Sequence, residues 1–500
     1  MNRSPDIAII GSGIGGATMA AMLAPTGKSI VVLERGQRIA DTSECRDDNA
    51  IFRDGYFRPD EQWLDGNGKA FNPGNYYYVG GNSKFYGAVL LRYRAEDFGE
   101  TSHLGGVSPT WPISYSEFEP WYQVAENLYE VRGDASQDPS EPHHSGNYPF
   151  PPVADEAAIA DLRKRLELAG VTPSSLPLGV DAKSWLVGGE TPWDAFPESR
   201  GGKNDAETIG MAKALAYDNV ELVTGAKVTR LEVGDDGEVT SILCQIDNKD
   251  VTLTPKLTVL SAGAVNSAAL LLKSLSDTNP DGLANSSGMV GRNFMNHNCS
   301  ALLAVHPFRA NDAVYQKTLQ VNDYYLGGGP DDMPLGNIQL LGKVSGNILA
   351  SQSSLPRIAA NWIARHSVDW YVMSEDLPDP ESRVSIKDGH IVLNWKRSNW
   401  DTHLALIKKA KQMLKRAGYP VVVSQPFDRR TPSHQCGTLR FGDDPKTSVL
   451  DNYCRSHDHK NLFVVDASFL PTSAAVNPAL TIVAQALRVA EHIKQKDLTA

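Results

Sequence analysis

A short apolar run that ends in spaced glycines constrains this chain more than any other feature. Asp6-Ile7-Ala8-Ile9-Ile10 reads as a buried parallel strand and runs directly into Gly11-Ser12-Gly13-Ile14-Gly15-Gly16. A stretch of small, helix-favouring residues from Ala17 to Leu23 follows. A second buried run, Ser29 to Leu33, then ends at Glu34. Together these predict a β–turn–α–β unit with GxGxxG at its first turn. In such a unit Gly11 permits the tight turn, Gly13 lets the backbone approach a pyrophosphate, and Gly16 lets helix and strand pack closely. The helix N-terminus offers unpaired N–H groups and a partial positive charge to the phosphates. Glu34 is placed to accept hydrogen bonds from both ribose hydroxyls and would repel a 2′-phosphate, which argues against NADP. The motif predicts a dinucleotide site without separating NAD from FAD.

Beyond Glu34 the regular alternation of strand and helix stops. An aromatic, glycine-rich stretch from Phe52 to Tyr78 leads into a second glycine-rich segment, Val79-Gly80-Gly81-Asn82-Ser83-Lys84-Phe85-Tyr86-Gly87-Ala88. Such a loop lets backbone lie against another part of an extended cofactor, and FAD is long enough to need it. Val220–Val223, Ala226–Leu231 and Leu257–Leu260 read as further strands, the last followed by the small residues Ser261-Ala262-Gly263-Ala264. Near the C-terminus, Asn461 to Asp466 reads as a buried strand ending in an acid, and Val476-Asn477-Pro478 opens a helix to about Ile493. Asn477 is the expected N-cap and Pro478 the expected first-turn residue.

With these segments the chain resembles the glucose–methanol–choline (GMC) flavoprotein oxidoreductases. The resemblance rests on the start motif, GGNSKFYG from Gly80, Ser261–Ser267, Gly282–Asn293 and the block from His434 to Ala486. It is weaker across roughly 140–200 and 300–430. It implies an α/β fold, a discontinuous Rossmann-type FAD-binding domain beside a mixed α+β substrate domain built on an antiparallel sheet. The FAD domain is expected from 1–100, 200–300 and 430–500, the substrate domain from 101–199 and 301–429, with the active site between them.

The same resemblance implies oxidation of an alcohol, by hydride transfer to flavin N5, with oxygen or another acceptor taking the electrons. His434, in Ser433-His434-Gln435-Cys436-Gly437-Thr438, matches the family's catalytic histidine, and imidazole suits a general base near neutral pH. The Asn477 position faces the reacting carbon beside it. Many relatives carry a second histidine there, but the His/Asn pairing also occurs in the family. The Asp466 position bonds the FAD linker, and the Val228 position presents its backbone to the adenine. The cofactor contacts it implies also include Gly11, Ser12, Gly13, Ile14, Gly15, Gly16, Glu34, Arg35, Gly80, Gly81, Asn82, Tyr86, Gly87, Ala262, Ala467 and Pro478. The Lys84-Phe85-Tyr86 stretch holds no histidine, so the FAD is expected to be non-covalent. The favoured substrate is a sugar, polyol or other small hydroxylated molecule. The alternative is an FAD-containing lyase of the same fold, similar to hydroxynitrile lyases, with a non-redox flavin.

Other candidates carry less. Glu375, before the expected strand Arg383–Ile386, reads as a solvated loop acid or a partner of Arg383, with a substrate role as the second reading. Gln339, in the expected strand Asn337–Leu341, reads as an ordinary sheet position that could line the substrate face. His143-His144 and His457-Asp458-His459 lack further ligands at metal-binding spacing and read as surface loops. Residues 134–153 read as an exposed loop, and Cys436 as a small buried hydrophobe. Trp111 to Tyr129 reads as a capped amphipathic helix with a possible part in covering the FAD. A formal charge of −11 with no basic run argues against nucleic acid and anionic membranes. Five scattered cysteines without a CxxC pair, no signal-type segment and no membrane-length apolar run predict a soluble cytoplasmic protein.

Overall fold

The β-branched runs of the N-terminal motif pair as fully buried strands, and they organise a five-stranded parallel sheet. In the computed structural model, which describes residues 3–185, 194–197, 200–431 and 434–498, Ile7–Ile10 pairs with Ile30–Leu33 on one side and Leu257–Leu260 on the other. Val220–Val223 extends the first edge and Leu462–Val464 the second. In chain order the strands therefore lie 3-2-1-4-5. The order reverses beside Ile7–Ile10, so a crevice opens at the carboxyl ends of that strand and Leu257–Leu260, the place where doubly wound sheets bind ligands. The helix Ile14–Leu23 starts there, with Gly13 at its N-cap and no side chain capping it. A three-stranded antiparallel sheet, Lys227–Val233, Val239–Ile246 and Lys249–Leu253, stands beside this core.

A six-stranded sheet forms the second layer. Its order is Val421–Pro426, Asn298–Val305, Ser367–Ser374, Asn337–Leu340, Leu319–Val321 and Pro173–Ser175, and every pairing is antiparallel. Register separates its two faces. Leu302, Trp370 and Leu340 lie opposite one another in one row, and this face is packed with Leu406, Met413 and Leu414 of helix Trp400–Arg416 and with Ile159, Leu162 and Leu166 of helix Ala157–Leu168. The neighbouring row is Gln320, Gln339 and Tyr371, and it belongs to the opposite face. Among the described residues no helix is long and apolar enough to cross a membrane. All five cysteines are buried and unbridged.

Several expectations need correction. Residues 134–153 are not a solvated loop throughout: Asp138 is buried and holds the Arg94 guanidinium at 2.7 Å. His144 is likewise drawn inside, with its Nε2 2.8 Å from Glu141. His459 is buried too, its Nδ1 lying 2.7 Å from the Gly237 carbonyl oxygen and its Nε2 3.2 Å from the Ala284 N–H nitrogen. In each case a buried partner satisfies a side chain whose sequence neighbours suggested exposure. The Phe52–Tyr78 stretch contains the short strands Trp63–Asp65 and Ala70–Phe71. The helix expected at Trp111–Tyr129 is Tyr115–Leu128, with a capping box between Ser114 and Glu117. It packs on the C-terminal helix, where Tyr122 Oη meets Thr481 Oγ1 at 2.8 Å. That helix is Ala479–Lys496, about one turn longer than expected, and its cap position is Pro478 rather than Asn477.

Candidate active site

The glycine motif folds as its chemistry requires. Gly11 has φ +100°, and a Cβ there would lie 2.3 Å from the Ser261 carbonyl oxygen. A Cβ on Gly15 would strike the Val465 carbonyl at 1.9 Å, and one on Gly16 the Gly11 carbonyl at 2.1 Å, so both permit close helix–strand packing. Gly13 differs: nothing lies within 4 Å of where its Cβ would be. The second glycine loop folds against the first, with a Cβ on Gly81 lying 3.3 Å from Gly13 Cα. The Gly80 N–H donates to Ser12 Oγ at 3.1 Å.

Glu34 binds these loops together. Its carboxylate accepts from Ser12 N–H at 3.1 Å, Ser12 O–H at 2.7 Å and the Gly36 N–H at 2.8 Å. A carboxylate has capacity beyond these bonds, so ribose hydroxyls can join them. Arg35 stacks over the Tyr77 ring with its guanidinium carbon 3.7 Å from the centroid. Beneath the second loop, Lys84 is fully buried and paired with Asp205 at 3.0 Å and Glu207 at 2.9 Å. Tyr86 O–H donates to the Asn204 carbonyl. Gly87 faces the Lys317–Asp194 ion pair, since a Cβ there would lie 2.2 Å from Lys317 Nζ. Asn82 accepts from the Tyr76 N–H at 3.0 Å. Val228 lies half-buried in strand Lys227–Val233.

Asp466 ends the last parallel strand as a staple. Its carboxylate accepts from the Gly263 N–H at 3.0 Å, the Ser468 N–H at 2.9 Å and the hydroxyls of Ser267 and Ser468. Burial raises its pKa against those hydrogen bonds. Ala262 and Ala467 flank this staple half-buried, and the Ala262 N–H donates to Ser267 Oγ at 3.1 Å.

Three expected residues meet just ahead of the C-terminal helix. His434 Nε2 lies 3.3 Å from Asn477 Nδ2, and Gln339 Nε2 donates to Asn477 Oδ1 at 2.9 Å. Gln339 thus reaches from the polar row of the antiparallel sheet to the start of the C-terminal helix. Asn477 uses its amide there and does not cap that helix. His434 has φ +68°, a left-handed conformation in which a non-glycine residue stores about 1–3 kcal/mol. The backbone is held there by Cys436, whose N–H and C=O both bond Met295, at 2.9 and 3.0 Å. Burial, His297 and the Lys317 ammonium, in that order, hold the His434 pKa well below its ordinary 6.5. The sign is that of a base kept neutral. Any reaction that uses the lone pair of this imidazole should therefore keep a level kcat/KM as pH falls through 6.5 and decline only at lower pH, readable from a pH–rate profile.

His297 was not anticipated. Its Nδ1 lies 2.8 Å from His434 Nδ1, and its Nε2 lies 2.7 Å from the Ser473 carbonyl oxygen. Met295 and Cys436 are antiparallel partners, which sets 297 opposite 434. A histidine four residues past the Gly282–Asn293 segment was the available signal. Glu375, by contrast, is neither solvated nor paired with Arg383. It is buried, accepts from Ser108 O–H at 2.6 Å and sits 3.0 Å from His103 Nε2.

Comparison with known proteins gives this arrangement a family. Two models described as GMC oxidoreductase match residues 189–299 and 378–486, and an NAD(P)-binding Rossmann-like domain matches 9–59. The paromamine 6'-oxidase of Streptomyces fradiae is 29% identical over 98% of this chain and 92% of its own length. The chain belongs to the GMC oxidoreductase family. The fructose dehydrogenase large subunit of Gluconobacter japonicus is a further full-length relative of this GMC enzyme, 26% identical over 98% of both chains. In fold, a pyridoxine 4-oxidase from Mesorbium loti matches with a TM-score of 0.69 at 17% identity, over 98% of this chain and 99% of that one.

GMC oxidoreductases are FAD flavoproteins, and the residues of this one fit the cofactor. The open space at Gly13, the uncapped helix N-terminus beside it and the acid at Glu34 are what an adenine dinucleotide requires.

Proposed function

We propose that this enzyme oxidises a small hydroxylated molecule of the sugar or polyol class to a carbonyl, with non-covalent FAD and His434 as general base. The observation that carries the reading is the convergence of His434 and Asn477 at 3.3 Å immediately before the C-terminal helix. Bound FAD supplies the hydride acceptor. The chain's own part is to hold the alcohol and take its proton: His434 accepts it at Nε2 while the Asn477 amide donates to the substrate oxygen. The helix that begins at Ala479 directs its positive end toward this region, where negative charge on a reduced cofactor would be stabilised. Gln339 anchors Asn477. The substrate class is supported by relatives whose names specify paromamine, fructose and 2-methyl-1,2-propanediol, all hydroxylated. In this reading 1–100, 200–300 and 430–500 carry the cofactor, and the remainder carries the substrate sheet. Five unbridged cysteines support a cytoplasmic setting.

The experiment is an anaerobic screen of the purified protein against sugars, glycosides, polyols, choline, sterols and aryl alcohols. Bleaching of the flavin band by hydroxylated substrates supports the reading. Conversion without bleaching supports a lyase instead. On attachment, a formate oxidase of Aspergillus oryzae, matched at a TM-score of 0.69 and 15% identity, was studied for FAD modification. Here the second glycine loop, Gly80–Gly87, has no histidine. We expect acid denaturation to release the flavin into the supernatant; yellow colour retained in the precipitate would show a covalent bond.

A further inference from the structure

The groups around His434 form a hydrogen-bonded chain with a single direction, and one backbone atom sets that direction. The Ser473 carbonyl oxygen can only accept: it takes the Tyr93 O–H at 2.9 Å and faces His297 Nε2 at 2.7 Å. His297 Nε2 therefore carries a proton. Burial pushes the His297 pKa down to about 4, so the ring is neutral at pH 7 and its Nδ1 is bare. A bare nitrogen 2.8 Å from His434 Nδ1 requires the proton to sit on His434 Nδ1. That leaves His434 Nε2 with a free lone pair, against which Asn477 turns its NH2 at 3.3 Å. The Asn477 oxygen then points away and accepts from Gln339 at 2.9 Å.

We infer that His297 is a positioning residue: it locks His434 in the tautomer with its basic nitrogen facing the cleft, and through it presents the donor side of Asn477 to the substrate oxygen. The inference deepens the proposed alcohol oxidation and rests on it. An entering hydroxyl replaces the Asn477–His434 contact with two. Its proton goes to His434 Nε2, and its oxygen accepts from Asn477. As the O–H bond breaks, the new N–H bond makes His434 an imidazolium, and the carbon-bound hydride would pass to the acceptor that bound FAD supplies. The imidazolium's Nδ1–H still donates to His297, a charge-assisted bond stronger than the neutral one before it. The opposite tautomer would set an N–H against the hydroxyl and leave no base.

Two measurements test this on the full-length FAD-loaded enzyme. Selective 15N-histidine labelling, with His434 identified by its loss in His434→Asn, reads the tautomer directly. A protonated Nδ1 and a bare Nε2 on His434 at pH 7 are expected; the reverse would overturn the inference even if no substrate had been found. The second compares single-turnover flavin reduction in His297→Leu, which removes the acceptor, with His297→Asn, whose amide oxygen can take the place of Nδ1. His297→Leu should keep its flavin spectrum and its KM yet reduce about 10²-fold or more slowly, as when a catalytic histidine loses its tautomer-setting partner. His297→Asn should recover most of that rate. Equal rates in all three proteins, or equal losses in both variants, would overturn it. If His297→Leu fails to fold, the nitrogen signals of the native protein and the rate of His297→Asn still decide. Failure of every alcohol to bleach native flavin would count against the proposed reaction, and the tautomer reading would stand apart from it.

Discussion

Replacing His434 by alanine leaves the protein yellow and slows flavin reduction by about 10²- to 10⁴-fold, the usual worth of a positioned general base. The residues that fit the cofactor, Gly11, Gly13, Gly81 and Glu34, do not bond His434, so binding of FAD should survive the change. The backbone at 434 is a separate matter. At φ +68° alanine is less at ease than histidine, and a stability loss could be mistaken for a chemical one. His434→Asn is the control, because asparagine tolerates the left-handed region and cannot act as a base. Both variants should show the same large drop in the reduction rate, with the asparagine variant keeping a higher melting temperature. Stopped-flow reduction together with thermal unfolding of the same samples reads both effects. A reduction rate within a few-fold of native in either variant would remove His434 from the mechanism.

The glycine loop supports a second prediction of comparable size, because two of its glycines do different work. Gly13→Asp places its side chain in open space at a helix N-cap, where aspartate is among the preferred residues. The apoprotein should fold and melt no lower than the native apoprotein. FAD should be lost altogether, since the new carboxylate occupies and repels the position of the pyrophosphate. Gly11→Ala should do the opposite. Its Cβ would lie 2.3 Å from the Ser261 carbonyl, at a φ of +100°, so strand and turn must shift and stability should fall by about 2–4 kcal/mol. Urea unfolding and flavin content of the two variants separate cofactor exclusion from misfolding. A yellow Gly13→Asp protein would place the cofactor elsewhere.

The parts of this architecture that were legible in the sequence are local ones. Ile7–Ile10, the glycines and Glu34 lie within one β–α–β unit, so periodicity and turn chemistry specify them together. Leu257–Leu260 could be read as a strand because it is a short, mainly apolar run of the kind buried parallel strands use, and Val220–Val223 because its valines flank a half-exposed Glu221 at the edge of the sheet. Long-range pairing was hidden. His297 meets His434 only because Met295 and Cys436 pair across the fold, a register that neither segment announces. The burial of Asp138, His144 and Glu375 depended on Arg94, Glu141 and His103, and an acid or imidazole without a visible partner reads as solvated. Asn477 shows the same limit at short range. Its local preference is to cap the helix, but Gln339 from another sheet claims its oxygen and Pro478 takes the cap position. Gln339 itself looked like an ordinary strand residue because the face it occupies is defined by strand neighbours far along the chain.

Hydride transfer from a carbinol carbon is the core of the proposed chemistry, and it is measured most directly by anaerobic stopped-flow mixing with a substrate carrying deuterium on that carbon. Hydride transfer assisted by His434 gives bleaching of the flavin band, slowed several-fold by the deuterium, with one carbonyl formed per flavin reduced. A band that stays oxidised while the substrate is consumed, or bleaching indifferent to the label across the pH range, would contradict it.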